Sequence, residues 1–207
     1  KVFVNFPEAI PTISNIISKW DNINCIYEAD VPFLRRYIID KGLTPITAWE
    51  AEGELINKKA KVDVFKAENI MQFSEDAIKD SRMLAFDIET YNPDGKVMQP
   101  EKHPIIMVSL YGDNFEKVIT WKKFKTKEKY IEFVDSEVEL LEKFKEAIDV
   151  YKPEALVGYF SDEFDFPYID VRANKYKIPL NIGLDFSNVN VNRRERLKAK
   201  ISGIIHI

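Results

Sequence analysis

The chain has little of what builds small secreted proteins. A single cysteine, Cys25, leaves no intrachain disulfide open to it and suits a reducing compartment, so a cytoplasmic location is expected. Set in an apolar run, Cys25 reads most simply as a buried core thiol. The two histidines, His103 and His206, show no ligand spacing and read as structural or solvent-exposed residues. No apolar run reaches the roughly eighteen residues of a membrane span, and no signal peptide is present, which leaves no membrane partner in the reading. An excess of positive charge is missing as well: 30 basic against 34 acidic side chains give a net charge of -4. That argues against a wholesale basic nucleic-acid binder, though not against one that gathers acidic groups at a metal site and confines basic ones to a groove. What is present is 207 residues, 45% hydrophobic and 31% charged. This is an ordinary globular composition, long enough for one large domain or two small ones. The first residue falls inside a strand-like stretch and Ile201 to Ile207 reads as a strand with nothing after it, so a piece of something longer is expected.

Two rhythms divide the sequence. Val2 to Phe6 alternates as a short strand, and Pro7 opens a helix with Ile10, Ile13, Ile16, Ile17 and Trp20 on an apolar stripe. Asn24 to Tyr27 reads as a second strand, and Pro32 to Asp40 as a helix stopped by Gly42, which together suggest part of a small α/β layer. Strands are expected around the polar turn Asn57-Lys58-Lys59, between Ile46 and Phe65, and Ala67 to Asp80 reads as a linker with a weak helix. From Arg82 on the pattern changes. Leu84 to Ile88, Ile105 to Leu110 and Val118 to Trp121 predict an antiparallel meander. Ser136 and Glu139 then predict a capping box at the start of a helix that buries Val138, Leu141, Phe144 and Ile148. A strand over Ala155 to Tyr159 and a helix from Phe166 to Lys175 follow. Three hairpin strands followed by helical crossovers give a mixed sheet flanked by helices, the order of the ribonuclease H-like arrangement.

Two acidic constellations stand out. Met83-Leu-Ala-Phe-Asp-Ile-Glu-Thr90 is an apolar strand ending in Asp87 and Glu89, which alternation points to one side. Two anions that close repel unless a cation lies between them, and divalent metal chemistry on phosphate esters uses such pairs. The same residues also fit a solvated turn, with Thr90 and Asn92 beside them. The second constellation is Gly158-Tyr-Phe-Ser-Asp-Glu-Phe-Asp-Phe-Pro-Tyr168, between a buried strand and a helix. Asp165, flanked by Phe164 and Phe166, is placed at a strand end where open sheets bind ligands. Alternatively, Asp162 is a helix N-cap and Asp165 its capping-box partner. Proximity to Asp87 separates the two readings, and the first and fourth strands of this sheet type are neighbours.

Phe86 to Thr90, followed by the Gly158 to Phe166 stretch, resembles the proofreading exonuclease of archaeal family B DNA polymerases. Asp30 to Leu43 and Phe6 to Pro11 are similar to segments of that family's N-terminal domain, and Val118 to Lys123 and Gly203 to Ile207 are similar to its exonuclease domain. The resemblance covers essentially the whole chain, least specifically over residues 44–80. It implies an α/β fold, a ribonuclease H-like exonuclease domain over residues 81–207 that stops before its third motif. Residues 1–80 would be part of a small α/β N-terminal domain with a linker. It further implies a 3′-to-5′ exonuclease within a DNA-directed DNA polymerase, with two Mg²⁺ or Mn²⁺ ions held by Asp87, Glu89 and Asp165 as the catalytic ligands.

The implied partners are the primer 3′ end, single-stranded template, the remainder of the polymerase chain and, through the missing part, a sliding clamp. Neither Tyr168 nor Tyr176 has the context of the third-motif tyrosine, so this piece is expected to be weakly active or inactive by itself. The family usually has Asn at the positions of Phe160 and Glu163, which points to altered substrate handling with the ligands intact. Phe160, Phe164, Arg193, Arg194 and Arg196 are the expected DNA contacts, the arginines on a hairpin or exposed loop. Lys125 to Lys129 read as a solvated face, and Trp121 as a buried ring. Pro7, Ile10, Pro11, Val31, Phe33 and Arg36 match part of the family's template-uracil pocket, whose earlier residues are absent, so uracil binding is expected to be poor. The other readings are a stand-alone exonuclease and a structural DNA-binding module without catalysis. The match at Asp30 to Leu43 argues against the first, and the retained Asp87, Glu89 and Asp165 against the second.

Overall fold

A computed structural model of the chain describes every residue except 94, 96 and 193–197. It divides into two compact units, one of residues Lys1–Glu54 and Phe65–Lys79 and the other of Leu55–Val64 and Asp80–Ile207.

The first unit opens with a single 3₁₀ turn, Pro7–Ala9, that runs into helix α1 (Ile10–Ile17). Proline at the first helical positions starts both, because its φ is already helical and its missing N–H is not needed there. Helix α2 (Phe33–Asp40) ends at Gly42, whose φ of +63° suits glycine. Neither helix buries a residue. The expected stripe of α1 is only half-covered, and Ile16 and Trp20 are exposed.

Strands β1 (Thr47–Ile56) and β2 (Val64–Ala77) form a two-stranded sheet. Four expectations fail in this unit. Val2 to Phe6 and Asn24 to Tyr27 are not strands, since a ladder needs a partner and no described strand pairs with either segment. Cys25, expected in the core, is exposed. The supposed linker after Ala67 is strand β2. Its half-covered alternation, Ile70, Gln72 and Ser74, is largely polar. The Gln72 amide accepts from Thr44 N–H at 2.7 Å and donates to Thr47 Oγ1 at 2.6 Å, which satisfies the covered polar group.

The second unit is built on a six-stranded sheet. In chain order its strands are β3 (Met83–Thr90), β4 (Ile105–Gly112), β5 (Phe115–Thr120), β6 (Ile131–Phe133), β7 (Ala155–Val157) and, beyond a small β8 (Asn190–Asn192) and β9 (Lys198–Lys200) hairpin, β10 (Ile205–His206). The spatial order is β10-β7-β3-β4-β5-β6. β3, β4 and β5 form the expected antiparallel meander, whereas β6 joins β5 and β7 joins β3 in parallel.

Helix α3 (Glu137–Tyr151) begins at the expected cap: Ser136 Oγ accepts from Glu139 N–H at 3.2 Å. Glu139 reaches back to Asp135 N–H, one residue earlier than a standard box. Its buried face is Leu140, Leu141, Phe144, Ala147 and Ile148, with Val138 only half-buried. Helix α4 (Asp165–Tyr176) packs beside it. Both close over Leu84, Phe86 and Ile88, and the Phe86 ring lies 5.8 Å from Phe144 and 4.8 Å from Phe166.

A buried ion pair pins this layer. Arg172, 1% exposed, donates from Nε to Glu137 Oε1 at 2.7 Å and from Nη1 to Pro100 O at 2.9 Å, while Glu137 Oε1 also accepts Ile105 N–H at 2.8 Å. The charges are buried but fully engaged, the condition for tolerating such a pair.

Candidate carboxylate site

Strand alternation decides the sides of β3. Leu84, Phe86 and Ile88 face the helices, and Met83, Ala85, Asp87 and Glu89 are exposed on the other side. A register shift against β4 falls between Glu89 and Thr90, beyond which Thr90 pairs with Ile105. On the opposite flank β7 pairs with β3 only up to Val157 opposite Ala85. The next residue, Gly158, follows Phe86 closely: a Cβ there would lie 3.3 Å from Phe86 O and 2.6 Å from the Ser161 side chain.

Because β7 has given out by this level, the N–H of Ile88 is free for another acceptor. It donates to Oδ1 of Asp165 at 3.2 Å. The first residue of α4 is thereby fixed to the backbone between Asp87 and Glu89. Asp165 is 2% exposed. Burial pushes its carboxyl up to about 6, the Ile88 amide holds it down in part, and the negative charge of Asp87 adds to the rise. The two constellations therefore meet in space.

The alternative reading of the second constellation does not hold. The N-cap of α4 is Phe164, with no side-chain cap bond. Asp162 instead accepts from Ala199 N–H at 2.7 Å, tying the loop to β9. Ser161 Oγ donates to Gly158 O at 3.0 Å and lies 2.8 Å from His206 Nε2, and His206 Nδ1 lies 3.0 Å from Asp162 Oδ1. This serine, histidine and aspartate are in nucleophile-like order, but Ser161 is 1% exposed and its hydroxyl is engaged, so the array is a latch on the loop. Sequence reasoning missed it because 45 residues separate Ser161 from His206.

The remaining expected residues are placed as follows. Phe160 is 59% exposed, whereas Phe164 is half-covered and its ring lies 5.4 Å from that of Tyr168. Tyr168 donates to His103 O at 2.8 Å and Tyr176 to Glu137 Oε2 at 2.9 Å, so both hydroxyls serve the structure. Trp121 is half-buried, with Lys122 Nζ 3.9 Å from its ring centre, and residues 125–129 are exposed. Arg193, Arg194 and Arg196 lie outside the described residues. In the first unit Pro7, Ile10 and Val31 are half-buried and Pro11 and Phe33 exposed, while Arg36 is held by Asp40, 2.6 Å away, and by Glu28. A depression of about 850 Å³ beside Met83, Ala85, Tyr111 and Val157 includes neither Asp87 nor Glu89.

Among the described residues no three His, Cys, Asp or Glu side chains stand close enough together to hold a metal ion. In donor chemistry Asp87, Glu89 and Asp165 nonetheless suit a hard divalent cation, being all-oxygen ligands of which Asp87 and Asp165 already repel.

Meander strands continued by a parallel neighbour, with helices over one face and carboxylates at the ends of β3 and the start of α4, define a ribonuclease H-like, exonuclease-type domain. Comparison with known proteins agrees. The family model described as "DNA polymerase family B, exonuclease domain" matches residues 25–207. A DNA polymerase of Methanocaldococcus jannaschii is 33% identical over 208 residues, covering 100% of this chain and 11% of the relative. One of Pyrococcus glycovorans is 34% identical over 207 residues, covering 100% of this chain and 22% of the relative. The structure of the family B DNA polymerase from the hyperthermophilic archaeon Pyrobaculum calidifontis shares the fold, with a TM-score of 0.79 at 24% identity over 99% of this chain and 25% of that one. The chain belongs to DNA polymerase family B and spans between about a tenth and a quarter of the length of these relatives.

Proposed function

We propose that this segment supplies the 3′-to-5′ exonuclease of a DNA-directed DNA polymerase, hydrolysing the terminal phosphodiester of a mismatched primer with two Mg²⁺ or Mn²⁺ ions. The observation that carries the reading is the bond from Ile88 N–H to Asp165, which brings the second acidic constellation against the first. Asp87, Glu89 and Asp165 would hold the ions. Divalent ions bound there supply a water of lowered pKa and offset charge on the leaving 3′-oxygen.

The protein's own part is placement. Burial and the Ile88 amide hold Asp165 in one position, and the strand presents Asp87 and Glu89 from one exposed side. The latch through Ser161 and His206 keeps the intervening loop closed on the sheet edge. The partners that follow are the primer 3′ end, single-stranded template and the rest of the polymerase chain. In the first unit, Pro7, Ile10, Pro11, Val31, Phe33 and Arg36 would contribute to a template-uracil pocket of the whole enzyme.

The test is Mn²⁺-dependent release of nucleotides from a single-stranded oligonucleotide by the whole polymerase, together with calorimetric Mn²⁺ binding to the 207-residue chain. D87A and D165A should each lower release by about a hundredfold or more, since loss of a ligand exceeds the effect of losing its supporting partners. They should also abolish tight Mn²⁺ binding. Release and binding that survive both substitutions refute the assignment.

A further inference from the structure

Strand β4 has a residue for which β3 offers no partner. Glu89 pairs with Met107 and Thr90 with Ile105, so Ile106 stands opposite no residue of β3. The burial pattern breaks at the same place. Val108 and Leu110 alternate toward the helices, and strict alternation would turn Ile105 away from them, yet Ile105 is 0% exposed in the same core. This is a β-bulge, which bends a strand and re-aims the side chains beside it.

A bulge takes backbone groups off the ladder, and buried ones need other partners. Side chains supply them. Thr120, 0% exposed at the end of β5, donates from Oγ1 to Ile106 O at 2.8 Å. Trp121, next in the chain, donates from Nε1 to Ile105 O at 2.7 Å, and Glu137 Oε1 accepts the Ile105 N–H at 2.8 Å. The location of the bulge decides what it acts on. Because β7 pairs with β3 only up to Ala85, Glu89 is held by β4 alone among the described strands.

We propose that Thr120 and Trp121 are positioning residues for Glu89: by fixing the bulge in β4 they set the direction of its carboxylate toward a divalent cation held with Asp87 and Asp165. This deepens the nuclease reading above and rests on it. Both residues act through the backbone of β4, and a ligand supported in this way keeps the geometry that the ion selects. A bulge that only buried Ile105 would leave cation binding indifferent to either side chain, and the experiment separates the two roles.

The experiment is calorimetric titration of Mn²⁺ into the 207-residue chain and its T120V, T120S, W121F and I119V variants, with thermal unfolding followed in parallel. T120V keeps the shape of the side chain and removes the donor to Ile106 O, and W121F removes the donor to Ile105 O. Each should weaken Mn²⁺ binding about tenfold, the lower end of the effect of losing a partner behind a metal ligand. T120S retains the hydroxyl and should bind as the parent chain does. I119V trims a 0%-exposed core residue next to Thr120, so it should lower the unfolding temperature and leave Mn²⁺ affinity unchanged. Unchanged affinity in T120V and W121F, or an equal loss in I119V, overturns the positioning role while leaving the nuclease reading intact. Failure of the unsubstituted chain to bind Mn²⁺ at all overturns both.

Discussion

In the absence of metal, replacing Asp165 with asparagine should stabilise the chain above pH 6 and leave its stability unchanged near pH 4. The carboxyl stands at about 6 in the fold, against an ordinary value of 3.8. Between those values the folded state keeps a proton that the unfolded state has already released, so the contribution of Asp165 to stability falls as pH rises through this window and is level above it. The whole difference corresponds to roughly 3 kcal/mol at pH 8, taking 1.36 kcal/mol per pKa unit. Asparagine retains an oxygen for the Ile88 N–H, and the stronger bond of the ionised carboxylate to that N–H is already contained in the value of about 6, so the net gain is about 3 kcal/mol. Urea unfolding of both proteins at pH 4 and pH 8 in chelator measures it, and the difference between the two cancels every other titrating group. Added Mn²⁺ should reverse the order, because a cation favours the ionised carboxylate that asparagine lacks. Equal or lower stability of D165N at pH 8 in chelator would show that Asp165 is not held ionised against a penalty and would refute the reasoning.

Two further outcomes are expected. E137A leaves Arg172 buried without its carboxylate and should cost about 3–5 kcal/mol in denaturant unfolding; a loss below about 1 kcal/mol would mean that water or the carbonyls of residues 100 and 101 satisfy the guanidinium unaided. G158A places a Cβ 2.6 Å from Ser161, so it should displace the serine from His206 and weaken Mn²⁺ binding in calorimetry while leaving the helical circular dichroism in place, and unchanged affinity would show that the latch does not position Asp165.

What could be read in advance followed from local periodicity. Leu84, Phe86 and Ile88 alternate with Asp87 and Glu89 because a half-buried strand imposes burial on every second residue, and that pattern survives without knowledge of its neighbours. The Ser136 cap was legible for a similar reason, since donor and acceptor lie three residues apart. Strand β2 is not, because its half-covered side offers Gln72 and Ser74 in place of a hydrophobic pattern, and hydrogen bonds to Thr44 and Thr47 take the place of apolar contact. The opposite holds over Val2 to Phe6 and Asn24 to Tyr27, where alternation is present and no described strand lies alongside to pair with. Periodicity reports which side a residue faces; it does not report whether another strand is there.

Asp165 shows the same limit at the site itself. A carboxylate at the first position of a helix has an ordinary explanation in the helix N-terminus, and nothing local distinguishes that from a ligand. The distinction lies in the parallel pairing of β3 with β7 across some seventy residues, which ends at Val157 and leaves the Ile88 amide for Asp165. A cap would hold its carboxylate in water, readily ionised. Asp165 instead sits at 2% exposure beside another anion, with its carboxyl driven up to about 6. Stability alone does not favour that arrangement, because an asparagine would form the same bond without the penalty. A position where the fold retains a less stable residue is where function is expected to decide the choice, and a cation held with Asp87, as proposed above, would turn the penalty into a gain.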